Sequence, residues 1–429
     1  MNQVDTAATA APGAPAPPAP ATRFVGRGRT FLWLLVRGAM LLAVTLGIYR
    51  FWLATDVRRF LWSNTEVGGE TLEYTGTATE LLIGFLIAVA LLVPLYAVIF
   101  VIALSAGPAG DFVGILAFPV LAFLGHFAIY RARRYRLTRT IYRGVRCHQT
   151  GSAWGYAVRA LLWWVLILLT LGLAYPFAQS RLERYKMRHT WYGNLQGRFA
   201  GTGASLFMRG LPMWLVVVGP TALALIFAGM SVDWLKVGEA ATAAMKGENF
   251  IGRLGEAYHG LYVATGVTIG AVSFSVVLAA ILFPVFQAMM LRWWLSGLRF
   301  GGLTARSHLR TGQIYGAYLR FLLYSFLFTL AASAVGIAGL IGMGMGLAAV
   351  GRPEISEVMG AAAAVAFYVA MMLGYSTIYQ ATVKLSIWRV SVESLDFEGL
   401  STLDRVRAEG APSSAVGEGL ADALNVGGF

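Results

Sequence analysis

At 429 residues, with 57% hydrophobic and only 13% charged residues and a mean hydropathy of +0.65, the chain is too apolar for a soluble protein of its size. A net charge of +13 does not point to nucleic acid here, because in a multispan protein excess Lys and Arg mark the cytoplasmic loops and the anionic leaflet beside them. The single cysteine, Cys147, excludes an intrachain disulfide and a four-cysteine zinc site.

In chain order, residues 1–22 form an Ala/Pro-rich tail that lacks the apolar core of a secretory signal and reads as a disordered arm. Uncharged runs long enough to cross a bilayer lie at 81–104, 211–232, 260–291, 321–351 and 358–383, and a sixth at 112–130 is broken only by His126. Arginines are densest between 131 and 146: Arg131, Arg133, Arg134, Arg136, Arg139, Arg143 and Arg146. By the positive-inside rule that segment is cytoplasmic. The loops 105–111, 231–259 and 350–357 are poor in Lys and Arg and are assigned outside. Three hairpins of spanning helices result, with both termini in the cytoplasm.

Segments 38–49 and 160–177 are flanked on both sides by basic clusters, so a full crossing would strand one flank outside. Twelve uncharged residues between Arg37 and Arg50 are too few to cross. In the second segment Gly172 and Pro176 supply a reason for a break. Both are therefore expected to be re-entrant or deeply embedded broken helices. The alternative is that both cross, since 21 uncharged residues separate Arg159 from Arg181, which would give eight spans and place the 131–146 arginines outside.

The stretch 45–81 recurs without a gap at 170–206, with polar and glycine positions in register: Thr45-Leu46-Gly47 with Thr170-Leu171-Gly172, Arg59 with Arg184, Thr65 with Thr190, Gly68 with Gly193 and Gly76-Thr77 with Gly201-Thr202. Each copy carries a predicted β-hairpin, around Gly68-Gly69 and around Gly193-Asn194. Thr77 and Glu80 predict a capping box at the next helix, where the second copy has Thr202 and Ser205. An aromatic followed two residues later by glycine recurs at Tyr74/Gly76, Tyr142/Gly144, Phe199/Gly201, Phe300/Gly302 and Phe397/Gly399. The resulting organisation is repeat 1 over 23–143, repeat 2 over 144–298, and a degenerate repeat 3 over 299–399 whose re-entrant and hairpin parts are lost or merged. A flexible tail, 400–429, rich in Gly, Ala and Ser, completes it. The fold class is an α-helical polytopic membrane protein of repeated helical units, with small cytoplasmic β-hairpins gathered into one sheet.

Thr45-Leu46-Gly47-Ile48-Tyr49 running into Phe51-Trp52, then Arg58-Arg59-Phe60, Asn64-Thr65, Gly68 and Leu72-Glu73-Tyr74-Thr75-Gly76-Thr77, resembles the YjgN family, also called the DUF898 domain. The resemblance covers about 23–397. It implies a bacterial inner-membrane protein of unassigned function and supplies no catalytic residues. The family pattern often places Pro-Trp after Thr-Leu-Gly; this chain has Phe51-Trp52 in the first copy and Pro176-Phe177 in the second.

No Asp or Glu interrupts the six long runs, which removes the usual ion-binding group of a coupled transporter. His126 reads as a packing or interfacial residue. The glycines Gly336, Gly339, Gly342 and Gly346 read as a small-residue packing face, and no glycine-rich segment ends in the Gly-Lys-Ser/Thr of a phosphate loop. No catalytic, cofactor or metal site is expected. The first functional expectation is a channel or passive transporter for a small solute or lipid, with Thr45, Gly47, Thr170, Gly172 and Pro176 at paired breaks facing one shared space. The alternative is a scaffold or regulator that docks a partner protein or anionic lipid headgroups on a face built from Arg58, Arg59, Arg131, Arg133, Arg134 and Arg184.

Overall fold

The computed structural model describes residues 22–105, 107, 110–245, 259–349, 354–424 and 426. The expectation for the arm up to residue 21, and those for loop positions 106, 108–109, 246–258 and 350–353, lie outside the described residues.

The chain opens with β1 (Thr22–Phe24), α1 (Gly28–Val44), a break, and α2 (Arg50–Ser63). Next come β2 (Thr65–Val67), β3 (Glu70–Thr71) and β4 (Glu73–Tyr74), then α3 (Ala78–Ser105) and α4 (Gly110–Thr138). The middle third runs β5 (Thr140–Tyr142), β6 (Val145–Gln149), α5 (Ala153–Leu169), a second break, α6 (Tyr175–Arg188), β7 (Thr190–Tyr192), β8 (Leu195–Phe199), α7 (Gly203–Ser231), α8 (Trp234–Met245) and α9 (His259–Ser296). The last third has β9 (Leu298–Phe300), β10 (Leu303–Ser307), α10 (Thr311–Ala349) and α11 (Glu354–Tyr379). A π-helical turn joins α11 to α12 (Leu385–Glu393), followed by β11 (Leu395–Glu398), a 3-10 turn at Leu400–Arg405 and α13 (Val416–Ala423).

Among the described residues five helices are long and apolar enough to cross a membrane: Ala78–Ser105, Gly203–Ser231, Leu261–Ser296, Thr311–Gly346 and Val358–Glu393. At most 11% of the most apolar stretch of each is buried. Outward-facing apolar side chains of this kind are stable against lipid tails and not against water, so this is an α-helical membrane protein. The run 112–130 lies within α4, whose C-terminal end carries the arginines and which is not among those five. Neighbours in sequence pack on one another from α1 through α7, α9 and α10, and α11 returns to α1, so the helices close into a ring.

Beside the helices, eight antiparallel strands form a sheet in the order β11-β10-β9-β8-β7-β6-β5-β4, and β1-β2-β3 form a second. The single small sheet expected from the hairpins is thus two sheets that share an interior. Val67, Tyr142, Leu303 and Phe397, from four different strands, enclose an apolar space of about 230 Å³, and the Tyr142 hydroxyl donates to the Val67 carbonyl at 2.8 Å. Gly68 and Gly69 both take positive φ, 55° and 86°, as a two-residue hairpin turn of this hand requires.

Three expectations need correction. The third hairpin is not lost: β9 pairs with β10 across Gly301-Gly302, and the missing feature is the break, since α10 runs continuously. The capping box at α3 is half formed. Thr77 Oγ1 accepts the Glu80 N–H at 3.4 Å, while the Glu80 carboxylate goes to the Tyr135 hydroxyl at 2.8 Å and to Arg139 at 2.7 Å. A charge-assisted pair to α4 outweighs a reach back to a solvated N–H.

The third concerns 400–429. Leu403 is buried in the sheet interior, the Arg407 and Asn194 backbones and the Asn194 side chain bond each other, and α13 is wedged between α3 and α4 with Leu420 and Ala421 buried. That tail is packed at Leu403 and again through α13, with residues 407–412 exposed between them. Its composition misled because four small residues, Gly417, Gly419, Ala421 and Ala423, suit a helix that must approach others closely.

Cys147 lines the sheet interior, where burial pushes its thiol pKa up to about 12. Since the thiolate is the reactive form, the folded protein at pH 8 is expected to resist iodoacetamide, and labelling should appear only on denaturation. Rapid labelling of the native chain, followed by mass spectrometry, would contradict the sheltered interior.

Candidate functional site

The two breaks have one construction. Leu46 and Gly47 take φ of 49° and 94°, and Leu171 and Gly172 take 50° and 92°. Left-handed geometry in two successive residues ends α1 and α5, and glycine meets it at the second without a Cβ penalty. The preceding threonine then starts the next helix. Thr45 Oγ1 donates to the Leu41 carbonyl at 2.7 Å and accepts the Tyr49 N–H at 3.0 Å, and Thr170 Oγ1 does the same with Leu166 at 2.8 Å and Ala174 at 3.0 Å. Proline does not cause the break: Pro176 sits in the first turn of α6, where its missing N–H costs nothing, and the first copy breaks without one.

The breaks do not share a space. A cleft of about 270 Å³ opens at the second one, lined by Gly172 and Pro176 of the break region, Gly210 and Trp214 of α7, and Phe283 and Phe286 of α9. Thr170, Thr45 and Gly47 are not on its wall. The helix leading into the first break, α1, packs on α11, and the tip residue of the break, Leu46, is 93% exposed. The expected common conduit of four positions is not present. No charged residue lines the cleft, and the Trp214 indole donates to the Leu171 carbonyl at 2.9 Å, satisfying backbone that the break frees. What remains is a carbon-lined slot suited to an apolar chain.

The arginines expected on an open docking face are bonded within the fold, Arg58 from a buried position and Arg59 from an exposed one. Arg59 donates to the Gly76 carbonyl at 3.0 Å and Arg184 to the Gly201 carbonyl at 3.2 Å. In each case the ring two residues earlier, Tyr74 or Phe199, lies where a glycine Cβ would be, within 2.7 Å. A third set was missed in the sequence: Arg389 donates to the Gly26 carbonyl at 2.9 Å, and the Phe24 ring covers Gly26. Its signal was available, since Arg59, Arg184 and Arg389 each stand six residues before a strand beginning at Thr65, Thr190 or Leu395. The aromatic-glycine pairs at 142/144 and 300/302 belong to hairpin turns and do something different.

The remaining members of that face are also engaged. Arg58, 6% exposed, pairs with Glu418 of α13, which also lies 3.7 Å from Arg136. Arg134 bonds the Gly151 carbonyl, and Arg131 reaches Ser414 at 3.4 Å. Arg133 contacts Met187 Sδ beside a second buried cluster, in which Glu183 pairs with Lys186 and accepts the Trp294 indole N–H at 3.1 Å. Burial alone would raise the Glu183 carboxyl, but Lys186 and Arg133 hold it below its ordinary value. Such a surface offers a partner few free guanidinium groups.

The glycine face also changes. A Cβ on Gly336 would meet the Phe367 ring at 2.8 Å, so this position packs against α11. Gly339, Gly342 and Gly346 have open space where a Cβ would stand. His126 lies beside Trp164, ring centroids 6.4 Å apart.

A family model described as a bacterial protein of unknown function (DUF898) matches residues 19–423. The chain belongs to the DUF898 family. The matched span takes in β1 at one end and finishes at the last residue of α13 at the other. No curated protein and no solved structure matches this DUF898 chain.

Proposed function

We propose that this DUF898 protein is a multi-pass protein of the bacterial cytoplasmic membrane that takes lipid acyl chains into the cleft at its second helix break and passes them without an energy source. In this reading six spans, the five above and α4, surround two embedded broken helices, and the sheets and both termini lie in the cytoplasm. The observation that carries it is the cleft itself: apolar on every side, opened by a helix break, and set between two helices whose outer faces suit lipid. A water-filled path for a polar solute would need polar groups along its wall, and none of those lining residues is charged. In the proposed transfer the acyl chains occupy the slot and the headgroup stays outside its apolar wall. The scaffold reading has less support, because the arginines it relies on are bonded within the fold.

Gly210 offers the test, since its Cβ position lies 3.6 Å from the Met289 methyl and a larger side chain would enter the cleft. In vesicles of phosphatidylglycerol and phosphatidylethanolamine carrying a headgroup-labelled fluorescent lipid, the wild-type protein is expected to speed exchange between leaflets. Gly210→Phe should slow it by roughly tenfold or more while the protein stays folded. Equal rates with wild type, Gly210→Phe and empty vesicles would sink the proposal.

A further inference from the structure

The duplicated halves differ at one corresponding place that bears on the cleft: the second half has the open slot and the first has α13. The lining of the empty cleft includes Tyr175, Pro176, Leu206, Met213 and Val217. At the repeat offset of 125, the distance from Thr45 to Thr170, these become Arg50, Phe51, Leu81, Ala88 and Leu92. All five surround α13: Arg50, Phe51 and Leu81 beside Glu418, Gly419 and Asp422, and Ala88 and Leu92 against Leu420 and Ala421. The C-terminal helix therefore lies where the first half would have the same slot.

Its seat is made for a helix backbone. A Cβ on Gly419 would overlap the Gly84 carbonyl carbon, one on Gly417 would overlap Arg131 Cβ, and one on Gly84 would overlap the Ala415 carbonyl oxygen. Two acids fix the register, Glu418 to Arg58 and Asp422 to Arg50. The connection is weak by comparison. Residues 407–412 are exposed, and a helix of eight residues does not hold its shape alone in water.

We propose that the first half carries a second lipid-binding cleft, and that α13 is its removable occupant, closing it to the acyl chains that the second half takes. The identity of the competing ligand rests on the function proposed above; the removable helix does not. Release of α13 uncovers Ala88, Leu92 and Leu81 beside Arg50 and Arg58, an apolar slot with two cations at its mouth, which suits the tail and phosphate of an anionic lipid.

The test uses the full chain with Cys147→Ala and Ala88→Cys, and a protease site replacing 409–412, so that α13 can be freed from an already folded protein. Ala88 is 0% exposed, so the thiol introduced there should resist an apolar maleimide before cutting and react at least about tenfold faster after it. Native mass spectrometry with phosphatidylglycerol should show one lipid retained before cutting and two after, and Gly210→Phe should leave only the one that appears on cutting. Glu418→Arg in the uncut chain, placing like charge beside Arg58 and Arg136, should open the cleft without proteolysis. Continued protection of the introduced thiol in both the cut chain and Glu418→Arg would overturn the removable occupant. Exposure of that thiol with no lipid bound by the cut Gly210→Phe chain would overturn the second lipid site. If in addition the uncut chain held no lipid, the proposed function would fall and only the displaceable helix would stand.

Discussion

Glu183→Ala is expected to destabilise the protein by about 3–5 kcal/mol, the usual cost of removing one member of a buried ion pair and leaving its partner uncompensated. Lys186 and Arg133 would both lose their carboxylate, and the Trp294 indole its acceptor. Glu183→Gln, which keeps an acceptor but not the charge, should fall between the variant and wild type. The pH dependence has a defined sign. A carboxyl held below its unfolded value contributes stability above that value, near ~4.3, and loses it as the pH falls toward the folded pKa. Acid should therefore shrink the gap between wild type and Glu183→Gln. Denaturation in detergent, followed through tryptophan fluorescence at pH 7 and pH 4, measures both, and a gap that widens in acid would contradict the assignment.

The double variant Arg59→Glu, Arg184→Glu should lower stability by about 2–4 kcal/mol, from a half-buried Arg184 bond worth roughly 1.5–3 kcal/mol and an exposed Arg59 bond worth up to about 1 kcal/mol. Each replacement also points an anion at a carbonyl, Gly76 or Gly201, so the effect should exceed that of Ala at the same sites. A docking face predicts the opposite: an intact fold with a lost partner. The midpoint of thermal unfolding decides between them, and an unchanged midpoint would return these arginines to the docking face.

Several features were legible in the sequence because they depend on neighbours a few residues apart. Gly68-Gly69 announced its turn. The breaks fall at Thr-Leu-Gly in both copies, where a threonine bonding ahead and a glycine in left-handed geometry are local devices. Charge and length, rather than these devices, are what expose the breaks in the sequence, and the proline expected to make the second takes no part in it. Charge density, by contrast, tells which side of a membrane a segment favours and not which way a guanidinium points. Arg58, Arg133 and Arg184 counted as open surface because the groups they face, Glu418, Glu183 and Gly201, are brought to them only by folding. Arg389 could have been found by its six-residue spacing from a strand, but its glycine, Gly26, lies at the other end of the chain. The burial of α13 was illegible for the same reason. The helix is only 8 residues long and carries two glycines, each costing about 1 kcal/mol of helix propensity, and the groove that holds it is built around Gly84.

That long separation has a consequence in time. The ribosome finishes the first-half walls at α4 roughly 280 residues before it reaches α13, an interval of roughly 15–55 s at bacterial speeds of synthesis. Throughout it the slot beside Ala88 stands open in the bilayer, free to fill from the surrounding leaflet. Closure then waits for α13, so a chain that stopped between residues 398 and 416 would keep the strands of both sheets and leave that gap unsealed.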